Sequence, residues 1–97
     1  MNPNSVSVII PCSNAAQYIR RTLDSILNQE YENLEIIAID DGSKDNTKAI
    51  LDSYVPKIKV LFHQNHANLG QAASLNLGIS KTSSEFIAFM DSDDLWF

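Results

Sequence analysis

Residues 35–47 read Glu-Ile-Ile-Ala-Ile-Asp-Asp-Gly-Ser-Lys-Asp-Asn-Thr. Ile36 to Ile39 are apolar on consecutive positions, which is the pattern of a strand covered on both faces, as in a parallel sheet. The run then stops on two acids and a glycine. Charged residues directly after a buried strand are costly unless a cation or a hydrogen-bond donor meets them. This stretch therefore predicts both a buried strand, Leu34 to Ile39, and a polar site at its carboxyl end.

Three further apolar runs flank it: Val6 to Ile10, Ile58 to Phe62 and Phe86 to Met90. Helical patterns lie between the strands. Ile19, Leu23, Ile26 and Leu27 form one apolar stripe, with Asn14 as the expected N-cap. Ala49, Ile50, Leu51 and Tyr54 form the expected buried side of a shorter helix, started by Ser43 or Asp45 and stopped by Pro56. From Gly70 to Ser80, Ala72, Ala73, Leu75, Leu77 and Ile79 are expected to pack on the sheet. Strand and helix alternate throughout, so the fold class is α/β, a parallel sheet of about four strands with helices on both faces and right-handed crossovers.

Composition narrows the function. The 97 residues amount to one small domain, and 44% hydrophobic with 20% charged residues is ordinary for a globular protein. Seven Lys and Arg against 12 Asp and Glu give a net charge of -5, which opposes nucleic-acid binding. The single cysteine, Cys12, excludes an internal disulfide and a multi-cysteine zinc site. With neither a signal-peptide pattern at Met1 to Ser7 nor an apolar stretch of membrane-spanning length, the expected location is cytoplasmic, the full-length protein being open to membrane association.

In a doubly wound sheet, ligands bind beyond the carboxyl ends of the strands, where strand order reverses. Four segments qualify: Pro11 to Asn14, Asp40 to Ser43, His63 to Gly70 and Asp91 to Asp94. Five of their residues are acids on two strand ends. Asp91 and Asp93 are two apart, so in an extended segment their carboxylates share a side and suit Mg²⁺ or Mn²⁺. A solvated turn or a helix cap is the alternative for each acidic pair, with Gly42 at a positive φ angle after Asp40 and Asp41. His63 and His66 read as surface loop residues, and Cys12 as a small buried residue rather than a nucleophile. Trp96 and Phe97 read as apolar residues that pack against a further part of the protein.

These motifs, V-S-V-I-I-P-C-S-N at 6–14, the 35–47 stretch, N-L-G at 68–70, L-N-L-G-I at 75–79 and E-F-I-A-F-M-D-S-D-D at 85–94, resemble the nucleotide-binding half of a family 2 glycosyltransferase with the GT-A type fold. The resemblance implies transfer of a sugar from a nucleotide diphosphate donor, most often a UDP-sugar, to an acceptor hydroxyl of a saccharide or glycoconjugate, usually inverting and metal-assisted. It implies that Pro11, Cys12 and Asn14 line the nucleotide site through backbone groups and that at least one of Asp40 and Asp41 bonds the nucleobase. It further implies that Asp91 faces the ribose or a metal-bound water, that Asp93 ligates the metal, and that Asp94 stands behind them. Gly70 and Gly78 would allow turns or close approach, and Asn68 and Asn76 would hydrogen-bond the loop or the ligand.

The sequence departs from the family in three respects. Ser13 and Leu75 stand where many members carry Tyr and Arg, and no residue matches the family's catalytic base. Residues 1–97 are thus expected to be the nucleotide-sugar-binding part of a longer catalytic domain, weakly binding and inactive alone. The usual strand order would leave Phe86 to Met90 at an open edge, a template for self-association. A non-catalytic nucleotide- or metal-binding module is the alternative for the isolated chain. A receiver-type phosphoacceptor fits less well, because its acids should follow the first strand. A nucleotidyltransferase or a Rossmann dinucleotide site would need a glycine-rich loop there.

Overall fold

The computed structural model describes residues 5–95. Four parallel strands, β1 (Val6–Cys12), β2 (Leu34–Asp40), β3 (Lys59–Phe62) and β4 (Phe86–Phe89), are joined by α1 (Ile19–Leu27), α2 (Thr47–Asp52) and α3 (Gln71–Ser80). A 3-10 turn, Gln64–His66, follows β3. The α/β expectation holds, and the strand bounds move by one or two residues.

Alternate residues of the two central strands feed two separate cores. Val8, Ile10, Ile36 and Ala38 pack with Ile19, Leu23 and Ile26 of α1 and Leu51 of α2. On the opposite face Ile9, Ile37 and Ile39 meet Leu75 and Leu77 of α3. Consecutive apolar positions in β1 and β2 are therefore all used, each fully buried Ile or Leu contributing about 1.5–3 kcal/mol. Gly78 sets how near α3 comes. A Cβ there would lie 2.7 Å from Ile9 Cγ2 and 3.0 Å from Ile39 Cδ1.

Some helix expectations are corrected. Ala49, Ala72 and Ile79 are exposed, and α3 instead seats Ser74 and Gly78 against the sheet. Asn14 does not cap α1, which starts only at Ile19. Asn14 has φ 51°, and its side chain accepts the Lys44 N–H at 2.8 Å while its own N–H donates to Ser43 Oγ at 2.9 Å. It ties two loops together, a role decided by a partner 30 residues away. The N-cap of α2 is Asn46, whose side chain makes no capping bond; Asp45, one residue earlier, accepts the Thr47 N–H at 2.9 Å. The Thr47 hydroxyl hydrogen bond holds the Asp45 carboxyl below the usual carboxylate range.

The strand order is β3-β2-β1-β4. Connections run outward from β1 through β2 to β3, then return to the other side of β1, so strand order reverses between β1 and β4. β4 pairs with β1 only from Val6↔Phe86 to Ile9↔Phe89, whereas β1 and β2 stay paired to Cys12↔Asp40. The end of β1 thus overhangs β4, and the chain after Phe89 turns away beside it. Among the described residues no helix is long and apolar enough to cross a membrane. Trp96 and Phe97 lie outside the described residues.

Candidate donor-binding site

A cavity of about 340 Å³ opens at this reversal point. Its wall combines Pro11, Cys12 and Asn14 from the end of β1, Asp41 from the end of β2, and Asp91 and Asp93 beyond β4. Six of the seven residues expected in the site are therefore brought together. Asp40 is the exception: it is 2% exposed, its Oδ1 has no hydrogen-bond partner among the described residues, and it does not reach the cavity wall. Alternation along an extended segment turns only one of two successive carboxylates toward the cavity. That one is Asp41.

Asp41 is held by many contacts. Its N–H donates to Cys12 O at 2.7 Å, and its Oδ1 accepts the Leu69 N–H at 2.7 Å. The Gly70 N–H donates to Oδ2 at 3.0 Å, and Asn68 Nδ2 donates to Asp41 O at 3.0 Å. The carboxylate thus neutralises the otherwise unsatisfied amides where α3 begins. Asn68 serves loop architecture, as expected, and Gly70, with φ 95°, makes the turn into α3. Asn76 is exposed.

The histidines separate. His66 is exposed and stacks on Phe62 with ring centroids 4.6 Å apart. His63, expected on the surface, is instead 7% exposed, with Nε2 2.9 Å from Ser74 Oγ and 3.5 Å from Asp41 Oδ1. No local pattern predicts this burial, because it depends on α3 folding over the end of β3.

Cys12 is fully buried, and burial first, then the nearby Asp40 charge, pushes its thiol up to about 12. It is protonated and unreactive at neutral pH, which supports the structural reading.

Asp91, Asp93 and Asp94 are exposed, and one carboxylate oxygen from each lies within 4.8 Å of the others. Asp94 joins the group rather than standing behind it. Its N–H donates to Asp91 O at 3.1 Å, closing a tight turn. The turn is fastened from α1, where the fully buried Thr22 donates its hydroxyl to Ser92 O at 2.7 Å. Hard oxygen donors grouped this way, with room for water, fit a divalent cation such as Mg²⁺ or Mn²⁺. Sequence reading missed Thr22, and also Tyr18 and Gln71, which line the cavity from the two helices' starts. A polar residue on an otherwise apolar helix face is the signal that could have found Thr22.

Residues 7–97 match the profile of Glycosyl transferase family 2. The chain belongs to this family. It is 42% identical over 92 residues to an uncharacterized glycosyltransferase of Rickettsia typhi, covering 95% of this chain and 28% of that relative. Among solved structures it is similar to S. aureus TarS 1-349 in complex with UDP-GlcNAc, with TM-score 0.85, 31% identity, and coverage of 94% of this chain and 27% of that one. It is likewise similar to the mannosyltransferase PcManGT from Pyrobaculum calidifontis in complex with GDP-Man and Mn²⁺, at TM-score 0.85 and 28% identity, covering 94% and 28% of the two chains. The family chain described here thus spans between a quarter and a third of these relatives' lengths.

Proposed function

We propose that this chain is the donor-binding part of a glycosyltransferase that moves a sugar from a nucleoside diphosphate, UDP by preference, to an acceptor hydroxyl on a saccharide or glycoconjugate, with inversion. One observation carries the reading: Asp41, Asp91 and Asp93 open on the same cavity at the sheet's reversal point, with Asp94 grouped beside the latter two. The UDP-GlcNAc of the first similar structure and the GDP-Man and Mn²⁺ of the second support it.

In this reading Asp41 accepts a hydrogen bond from the nucleobase, and the backbone of Pro11 to Asn14 borders the nucleoside. Asp91 and Asp93 are the metal ligands, Asp91 also reaching toward the ribose, and Asp94 assists. An acidic cavity repels a diphosphate, so binding depends on a cation held by these carboxylates. When bound, that cation neutralises the charge developing on the leaving diphosphate. The general base for the acceptor hydroxyl lies outside these 97 residues, and the isolated chain binds donor without transferring sugar.

Calorimetric titration of UDP, GDP and dTDP into the chain, with and without Mn²⁺, tests this. The expected result is binding of UDP that appears only with metal. Absence of binding by every nucleotide in both conditions would remove the donor-site reading and leave the chain a scaffold.

We further propose that the isolated chain self-associates along the free edge of β4. Phe86 and Phe89 are 53% and 54% exposed there, beside backbone groups with no strand partner on that side among the described residues. Light scattering at high concentration is expected to give a dimer or larger species, and a strictly monomeric mass would contradict it.

A further inference from the structure

The buried histidine at the end of β3 has no part in the functional reading so far. We infer that His63 is a positioning residue for nucleobase recognition, acting through Asp41; the inference rests on the donor-site reading above. Asp41 is the acid that meets the cavity, and its carboxylate is gripped on one side by the amides of Leu69 and Gly70. His63 Nε2 stands 3.5 Å from the same Oδ1. The imidazole is itself anchored, because Nε2 lies 2.9 Å from the hydroxyl of Ser74, a fully buried residue of α3.

This arrangement couples three elements, the ends of β2 and β3 and the first turns of α3, through one carboxylate. The amides of Leu69 and Gly70 bind both carboxylate oxygens and set the carboxylate plane. The buried imidazole, anchored on Ser74, packs 3.5 Å from Oδ1 as a rigid wall that keeps the carboxylate in place, with its remaining lone pairs toward the cavity. His63 touches neither the cavity nor the Asp91, Asp93, Asp94 group, so its influence is confined to the nucleoside end of the donor. Diphosphate binding should be indifferent to it.

The test compares His63→Ala, His63→Gln and Ser74→Ala with the unaltered chain, titrating UDP, GDP and inorganic pyrophosphate in the presence of Mn²⁺. His63→Ala is expected to weaken the preferred nucleotide about fivefold, as for loss of one packed polar support with its Ser74 hydrogen bond, and to leave pyrophosphate unchanged. Glutamine, whose Nε2 can stand near the imidazole Nε2, should restore most of the loss, and Ser74→Ala should fall between. Undiminished nucleotide affinity in His63→Ala, or an equal loss for pyrophosphate, would overturn the inference.

Amide hydrogen exchange gives a readout without any ligand. The Leu69 and Gly70 amides should exchange about fivefold faster in His63→Ala while those of Ile37 and Ala38 keep their protection. Unchanged exchange at Leu69 and Gly70 would overturn the inference. If the unaltered chain binds no nucleotide but exchange responds as expected, the donor-site reading fails while the support of Asp41 by His63 stands.

Discussion

Asp93→Ala is expected to weaken metal-dependent nucleotide binding by about 100-fold or more while leaving the fold intact. Asp93 is exposed and forms one of three carboxylates whose oxygens gather within 4.8 Å. In the proposed reading, removing it takes away a cation ligand and one of the negative charges that would attract the cation. Losing even an outer partner of a metal ligand costs about 10–100-fold in affinity, so losing a ligand should cost about 100-fold or more. Stability should be unchanged or slightly higher, since one of three like charges is relieved in a solvated setting. Calorimetry with Mn²⁺ and UDP, with a thermal melt beside it, checks both parts. Nucleotide affinity equal to that of the unaltered chain would show that the acidic turn is only a solvated loop.

Gly42→Ala is expected to produce the second large effect, on stability and binding together. Gly42 follows the acidic pair with φ 64°, where an L side chain costs about 1–2 kcal/mol. An added Cβ would also lie 2.7 Å from Asn68 N and 2.9 Å from Ala67 C. These are backbone atoms of the loop leading into α3, which cannot swing aside as a side chain can. Overlap of this kind adds about 1–3 kcal/mol, for a total of roughly 2–5 kcal/mol out of the 5–15 kcal/mol typical of a domain. The midpoint of thermal unfolding should fall by about 10 °C or more.

Binding should fall as well, because the loop that must move carries the Asn68, Leu69 and Gly70 groups that hold Asp41. Gly70→Ala is the natural control. Gly70 has φ 95° but nothing within 4 Å of an added Cβ, so only the conformational cost applies. Equal losses in the two variants would show that the close approach at Gly42 has no consequence.

The series of strands and helices was legible because hydrophobic period is a local property. Ile36 to Ile39 required a strand covered on both faces, and the stripe through Ile19, Leu23 and Ile26 required a helix on one of them. Both are observed. The acids after β2 were legible for a related reason, since a buried strand that ends in charge demands a partner, which Asp41 finds in the Leu69 and Gly70 amides. β4, expected to be covered on both faces, is instead largely exposed and its acids are solvated. Asn14 was misread because an Asn before a helix has two uses, capping or bridging. The loop around Lys44, 30 residues away, decides between them.

By itself, then, the sequence determined the α/β fold class, the parallel sheet and the strand ends on which the site is built, since these follow from short-range periodicity and from the cost of burying charge. Tertiary structure alone decided which acid of the pair meets the cavity, that His63 is buried against Asp41 and Ser74, and that Thr22 fastens the acidic turn through Ser92. Those outcomes depend on side chains meeting across separations as large as 70 residues, where register and loop path, rather than local preference, set the contact.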